Sequence, residues 1–258
     1  MHMTNKKFNS QGCPIIIASM TTIPSRIQLV RPVIESVLNQ SIKVEALEFN
    51  IPFFCQRTNE KYEIPEWFLD MEKVRIFRTP DYGAITKIAP TLIRHANDDV
   101  THIWSVDDDC VYPMNQLELL VSKYQVANNR ILTRYGGAIN NGHDFQSRFS
   151  GEGSVTFLEG FGGVLYPPGC IGSDFEEYVK STSLNEDCRR GDDIVLSMYF
   201  NKRGVEMYFY NNPSRETPYM VDGWLPHTLV DPLCDASGHN EKYGRIFAYI
   251  NNIIFDQV

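Results

Sequence analysis

Ile103-Trp104-Ser105-Val106-Asp107-Asp108-Asp109-Cys110 is an apolar run that stops at three consecutive carboxylates. The β-branched and aromatic residues from His102 to Val106 suit a short strand covered on both faces. In open α/β sheets ligands collect just outside the carboxyl ends of the strands, which is where this acidic cluster falls. Three adjacent carboxylates repel one another, so a local charge of about −3 needs an offset, most simply a bound hard cation. Side chains alternate along an extended segment, so Asp107 and Asp109 are expected to point one way and Asp108 the other. One side can then hold a metal and the other a sugar hydroxyl or ribose. Taken alone, the eight residues also fit a solvated acidic loop.

The chain around this stretch decides between the two. Upstream, Pro14 to Ser19 reads as a buried strand, followed by a polar turn from Met20 to Pro24. Ser25 to Gln40 has helical periodicity, with Ile27, Val30, Val33, Ile34, Val37 and Leu38 on one face and Pro32 as an internal kink. Val44 to Ile51 and Lys73 to Arg78 read as strands. A Thr79-to-Gly83 turn then leads into a helix carrying Ile85, Ile88, Ala89, Leu92 and Ile93. Strand and helix therefore alternate up to Asp109, the signature of a mainly parallel, Rossmann-like sheet flanked by helices. Downstream, a helix is expected over Met114 to Ala127, a strand over Arg130 to Arg134 and a mobile Gly-rich loop over Gly136 to Gly153. Two strands, Val155 to Leu158 and Gly163 to Tyr166, flank a turn at Glu159 to Gly162. A helix from Asp192 to Arg203, a strand from Glu206 to Tyr210 and a docked terminal helix from Tyr243 to Phe255 complete the reading.

With 258 residues, 43% hydrophobic and 22% charged, the chain has the composition of an ordinary globular α/β protein. A net charge of −8 argues against a nucleic-acid partner, since phosphate backbones call for a basic face. An anionic nucleotide remains compatible if a metal bridges it to the carboxylates. The six cysteines have neither CxxC nor zinc spacing and read as reduced, which suits a cytoplasmic protein. No apolar run approaches the ~18 residues of a membrane span, and only peripheral membrane contact is left open.

The segments SMTTIPSR, DYGAITKIAPTL, VDDDCVYP, LEGFGGVLYP and GDDIVLSMYF resemble, in this order, segments of bacterial and viral GT-A-fold glycosyltransferases, with Asp107-Asp108-Asp109 as the DXD motif. The resemblance spans roughly residues 15 to 210. It implies a GT-A-like single domain over 14–258, with a nucleotide-sugar half at 14–113 and an acceptor half with a smaller mixed sheet at 114–258. A flexible lead-in would occupy 1–13. It implies a nucleotide-sugar donor, UDP-linked by preference, and Mn²⁺ or Mg²⁺. Asp109 would be the direct metal ligand, with Asp107 or Asp108 reaching the ribose or a metal-bound water. Oxygen ligands favour these ions over zinc.

Thr21, Thr22 and Arg26 follow the first strand and are candidates for the nucleobase or ribose; helix capping is their plain alternative. Asp81 and Lys87 frame the DYGAITK turn, and Lys87 is placed to aim its ammonium at a diphosphate. Glu159, Gly160, Phe161, Gly162 and Gly163 form the candidate acceptor strip, where glycines let a sugar approach the backbone and Phe161 offers a stacking face. The resemblance also implies a carboxylate facing the acceptor at the start of the Asp192 helix, so Asp193, then Asp192, is the candidate general base of an inverting transfer; acidic residues also suit a helix start without any catalysis. His227 and His239 are late histidines of the kind that complete some GT-A metal sites, but each reads first as a satisfied surface histidine.

Three rival readings remain. A haloacid-dehalogenase-type phosphatase fits Asp107-Asp108-Asp109-Cys110-Val111, but its nucleophile strand comes first in its domain and its later acidic motif follows a strand. A sugar nucleotidyltransferase would need a Gly-rich loop in place of Met20 to Pro24. A non-catalytic carbohydrate-binding protein is the third.

Overall fold

The computed structural model describes residues 14–124, 129–140, 144–148, 150–211, 219–220 and 239–255. The expected lead-in and His227 lie outside them, as does most of the stretch between Asn211 and His239. The fold is α/β, built on one large mixed sheet.

The first half is parallel. β1 (Ile15–Met20) is followed by α1 (Arg31–Leu38), β2 (Ala46–Pro52), the short pair β3 (Phe54–Cys55) and β4 (Glu60–Lys61), β5 (Val74–Thr79), α2 (Ala89–Arg94) and β6 (Thr101–Ser105). β1 pairs in parallel with β2 on one side and β6 on the other, and β2 pairs with β5. The order β5-β2-β1-β6 therefore reverses direction between β1 and β6, the crevice where doubly wound sheets bind ligands. Both faces are covered. Ile16, Ala18, Met20, Leu47, Phe49 and Trp104 pack with α1 in one core, while Ile17 and Ile103 pack with α2 in the other.

The second half mixes directions. After β7 (Cys110–Val111) and α3 (Gln116–Val121) come β8 (Ile131–Asn140), β9 (Asp144–Arg148), β10 (Gly151–Val155) and β11 (Phe157–Tyr166). α4 (Phe175–Thr182), α5 (Glu186–Arg189), α6 (Asp192–Arg203), β12 (Met207–Asn211), β13 (Tyr219–Met220) and α7 (His239–Tyr249) follow, and a π-helical turn over Ile250–Phe255 continues α7. β11 runs antiparallel between β6 and β8, and β12 runs parallel to β8. These strands continue the main sheet; apart from it β7 and β13 form a two-stranded antiparallel pair, so the smaller mixed sheet expected here is not seen among the described residues.

Other expectations change as well. The first helix begins at Arg31, because Pro32 belongs in a first helical turn, where its missing N–H costs nothing, and not in an interior. Hydrogen-bonded turns take up residues 23–29. The expected Gly136-to-Gly153 loop is mostly sheet: β8 extends to Asn140 and pairs with β9 from Gly136↔Arg148 to Asn140↔Asp144. A Cβ on Gly136 would sit 2.6 Å from the Phe157 carbonyl oxygen, so glycine there serves close strand packing. The expected turn at Glu159 to Gly162 is a β-bulge within the continuous strand β11. Helix α4 was not anticipated, although Phe175, Tyr178, Val179 and Thr182 form its buried stripe.

Candidate functional site

Beyond the carboxyl ends of β1 and β6 lies a cavity of about 470 Å³. Thr21, Thr22, Arg26, Asp81, Lys87, Asp107, Asp108, Asp109, Phe161, Asp192 and Asp193 all line it, so candidates from five separate stretches of sequence converge.

The strand ends at Ser105, and residues 108–109 form a turn. Alternation stops with the strand, and the expected pairing of Asp107 with Asp109 is not found. Asp108 and Asp109 instead share Arg26, whose Nη1 lies 2.8 and 3.3 Å from their carboxylates. The Thr22 hydroxyl donates to the other oxygen of Asp108 at 2.6 Å. Asp107 turns toward Lys87, whose Nζ is 2.7 Å from Asp107 and 2.7 Å from Asp192. Asp193 accepts from the Gly160 N–H at 3.0 Å. One lysine thus ties the carboxylate cluster to the start of α6.

Burial opposes the charge on Arg26, but Asp108 and Asp109 outweigh it and raise its pKa. Burial likewise opposes Lys87, and Asp107, Asp192 and Asp193 together hold its pKa well above the usual lysine value. Asp109 is pushed up to about 7 by burial and by repulsion from Asp108 and Asp107. Burial and the neighbouring Asp192 push Asp193 well above the ordinary carboxylate range, against the pull of Lys87. The negative charge that seemed to require a metal is therefore partly met by two buried cations of the chain itself.

Among the described residues, no group of three or more His, Cys, Asp or Glu side chains forms a ready-made metal cage. The donor chemistry nonetheless fits a hard divalent ion of the magnesium kind, which binds through one or two carboxylates with substrate phosphates and water completing the shell. Asp109 suits that role, since it lines the cavity and its 3.3 Å pair with Arg26 is shared with the closer Asp108. The side chain of His239 is outside the described residues.

Other candidates hold the site's shape. Asp81 accepts from Gly83 N at 2.8 Å and Gln56 N at 2.7 Å and pairs with Arg189 at 2.9 Å, so its oxygens are committed to the chain. The Thr21 hydroxyl donates to the Asn50 carbonyl at 2.6 Å. In the acceptor strip, Phe161 lines the cavity and stacks on Tyr135, ring centroids 4.2 Å apart. Gly162 and Gly163 do not line it: a Cβ there would lie 2.3 Å from the Tyr135 ring and 2.4 Å from the Trp104 indole nitrogen. These glycines let aromatic side chains approach the backbone from within the fold, not a sugar from outside.

The sequence reading missed Tyr62, which donates to the Thr22 carbonyl at 2.9 Å, and the wall made by Arg189, Arg190, Lys242 and Tyr243. The Arg189-Arg190 pair was visible in the sequence, but only the fold brings Arg189, at the end of α5, beside Asp81. No protein-family model and no curated protein matches the chain.

Proposed function

We propose that the cavity binds a nucleotide-diphosphate sugar, UDP-linked by preference, and transfers the sugar to a glycan hydroxyl with Mn²⁺ or Mg²⁺, inverting the anomeric centre. One observation carries this reading: the acidic end of β6 meets Lys87 and the acidic start of α6 in one cavity, at the point where the strand order reverses. A donor site and an acceptor-activating carboxylate need that juxtaposition.

Asp109 would hold the ion, which would neutralise charge on the departing diphosphate, while Asp107 stays with Lys87. Arg26 and Thr22 fix the Asp108 carboxylate in the cavity wall, where it would accept from a ribose hydroxyl as a further partner. Phe161 gives the sugar an apolar face. The acceptor oxygen attacks the anomeric carbon, the bond to the diphosphate oxygen breaks, and the acceptor proton passes to Asp193. The Gly160 N–H aims the Asp193 carboxylate, and burial beside Asp192 raises its affinity for a proton.

The phosphatase reading meets the same obstacles in three dimensions. β6 is the fourth strand of the parallel set in chain order, and Asp192 follows α5, a helix. The segment 20–24 carries no Gly-rich loop for nucleotidyl transfer.

The test is a thermal-shift screen of nucleotide sugars with and without Mn²⁺, since a ligand of the folded state alone raises the melting temperature. A UDP-sugar with Mn²⁺ raises it, and Asp109→Ala abolishes the rise; unchanged metal-dependent binding in that variant overturns the site. Asp193→Asn cuts turnover and spares donor affinity. Release of inorganic phosphate from a phosphomonoester, without sugar transfer, would support the phosphatase instead. Binding with no turnover would favour the carbohydrate-binding module.

A further inference from the structure

Beneath the cavity floor, on a sheet face that should carry apolar core, lies a buried polar cluster. Glu48 and Asn50 alternate with Leu47, Phe49 and Ile51 along β2, so both face α2. Ser19 of β1 registers against Glu48. Ser19, Glu48, Asn50 and Thr91 are all buried, and none lines the cavity.

Backbone geometry at Lys87 explains why a polar group is needed there. The 3-10 turn Gly83–Lys87 runs into α2 through Ile88, at φ −131° and ψ −40°. The N–H groups of Thr91 and Leu92 both bond to the Ile88 carbonyl, at 3.1 and 3.0 Å, and Pro90 has none to offer. The Lys87 carbonyl is thus left without a helical partner, and the Ser19 hydroxyl donates to it at 2.5 Å.

With that proton committed, the Thr91 hydroxyl, 2.8 Å away, donates to Ser19. Asn50 Nδ2 lies 3.2 Å from Ser19 Oγ and 3.0 Å from Thr91 Oγ1. Arg94 donates to Asn50 Oδ1 at 2.7 Å and, through Nε, to Glu48 at 2.9 Å. From the same residue, the Lys87 side chain leaves in the other direction, to Asp107 and Asp192.

We propose that Ser19, with Asn50 and Thr91 behind it and the Glu48–Arg94 pair as anchor, is a positioning residue that fixes the Lys87 backbone so that its ammonium bridges Asp107 and Asp192. Apolar side chains of similar volume would serve the core equally well. The polar set supplies what packing lacks, a directional hold on one carbonyl. The inference rests on the proposed site only in that Lys87 serves the bound donor; it does not depend on which donor that is.

Ser19→Ala, Asn50→Leu and the hydroxyl-restoring Ser19→Thr are compared with the wild type by thermal melting, and by acetic anhydride labelling of Lys87 read by peptide mass spectrometry against Lys73. Losing one hydrogen bond to a buried carbonyl should raise Lys87 labelling about tenfold in folded Ser19→Ala. Ser19→Thr restores protection, and kcat for sugar transfer falls in Ser19→Ala more than KM rises. Lys87 as protected in folded Ser19→Ala and Asn50→Leu as in the wild type overturns the proposal. If Ser19→Ala fails to fold, Asn50→Leu carries the same readout; if neither folds, the cluster is a stability element and the proposal is overturned. Should the wild type bind no nucleotide sugar, the proposed function falls while the labelling contrast still decides the role of Ser19.

Discussion

β6 and β11 are neighbours in one sheet, yet they build their ends differently. On the parallel side, β1 and β6 deliver their carboxyl ends to one crevice, and the carboxylates that collect there are met by Arg26 and Lys87 from neighbouring segments. On the antiparallel side, ionic pairing recedes and shape dominates. Arg134 on β8 is fully buried and bonds to the neutral Gln116 and Asn211, each at 2.7 Å, and β11 uses its bulge and glycines to fit around Trp104 and Tyr135. The charge of the site thus comes from the parallel half, and the form of its wall from the antiparallel half. Lys87 and Asp193 join the two, since both lie 2.8 Å from where a Cβ on Gly160 would be.

The hardest break in this comparison is Lys87→Met. It leaves Asp107 and Asp192 without their shared cation in a largely buried place, a change expected to cost about 3–5 kcal/mol. Urea unfolding measures it, and a loss near zero would show that solvent already satisfies those carboxylates. Gly163→Ala strikes the other half. Gly163 has φ +79°, and the added methyl would collide with the Trp104 indole, so a loss of about 3 kcal/mol is expected without any change of charge. Gly160→Ala lies on the border. Its methyl presses on the Asp193 carboxylate and the end of Lys87, a flexible side chain that can yield. Turnover should drop more than tenfold while stability falls by about 1 kcal/mol, and equal losses in both would place Gly160 with the wall alone.

These contrasts track what could be read from the linear chain. The parallel half was legible because β1 and β6 are almost wholly buried and read as largely apolar runs, with a threonine pair or a carboxylate cluster just past their ends. Lys87 could be named from type and position, and Asp109 and Asp193 from the family resemblance. Their partners could not, because spacing carries no record of which cation folds onto which acid. The alternation argument failed one residue past Ser105, where the extended backbone ends. The antiparallel half misled because Gly136 to Gly153 is polar and Gly-rich, a loop by local composition, whereas backbone pairing decides its state: β8 forms a hairpin with β9 and pairs with the more distant β11. Glu48 and Asn50 in VEALEFNI were a readable anomaly, polar residues in a buried strand, but their task appears only with Lys87 beside them.

Two histidines of the parallel half act only through pH, and they run in opposite directions. Burial lowers the His102 pKa from 6.5 to about 4. The folded state therefore prefers the neutral ring; the stability this gives is complete above pH 6.5 and is lost as pH falls toward 4, about 2 kcal/mol by pH 5. His95 is the reverse case. Its hydrogen bond to Glu48, 2.9 Å long, raises its pKa against the opposing effect of burial, with Asp98 at 3.6 Å adding to the rise. Its contribution is complete below pH 6.5 and is lost as pH rises through the folded-state value. Melting temperature against pH separates the two. His102→Phe should flatten the acid limb and leave the neutral limb alone, whereas His95→Gln, which keeps a donor for Glu48, should flatten only the fall above pH 6.5. If both variants shift the whole curve without changing its slope, neither ring titrates with folding, and the parallel half owes its pH response to the carboxylates at its mouth.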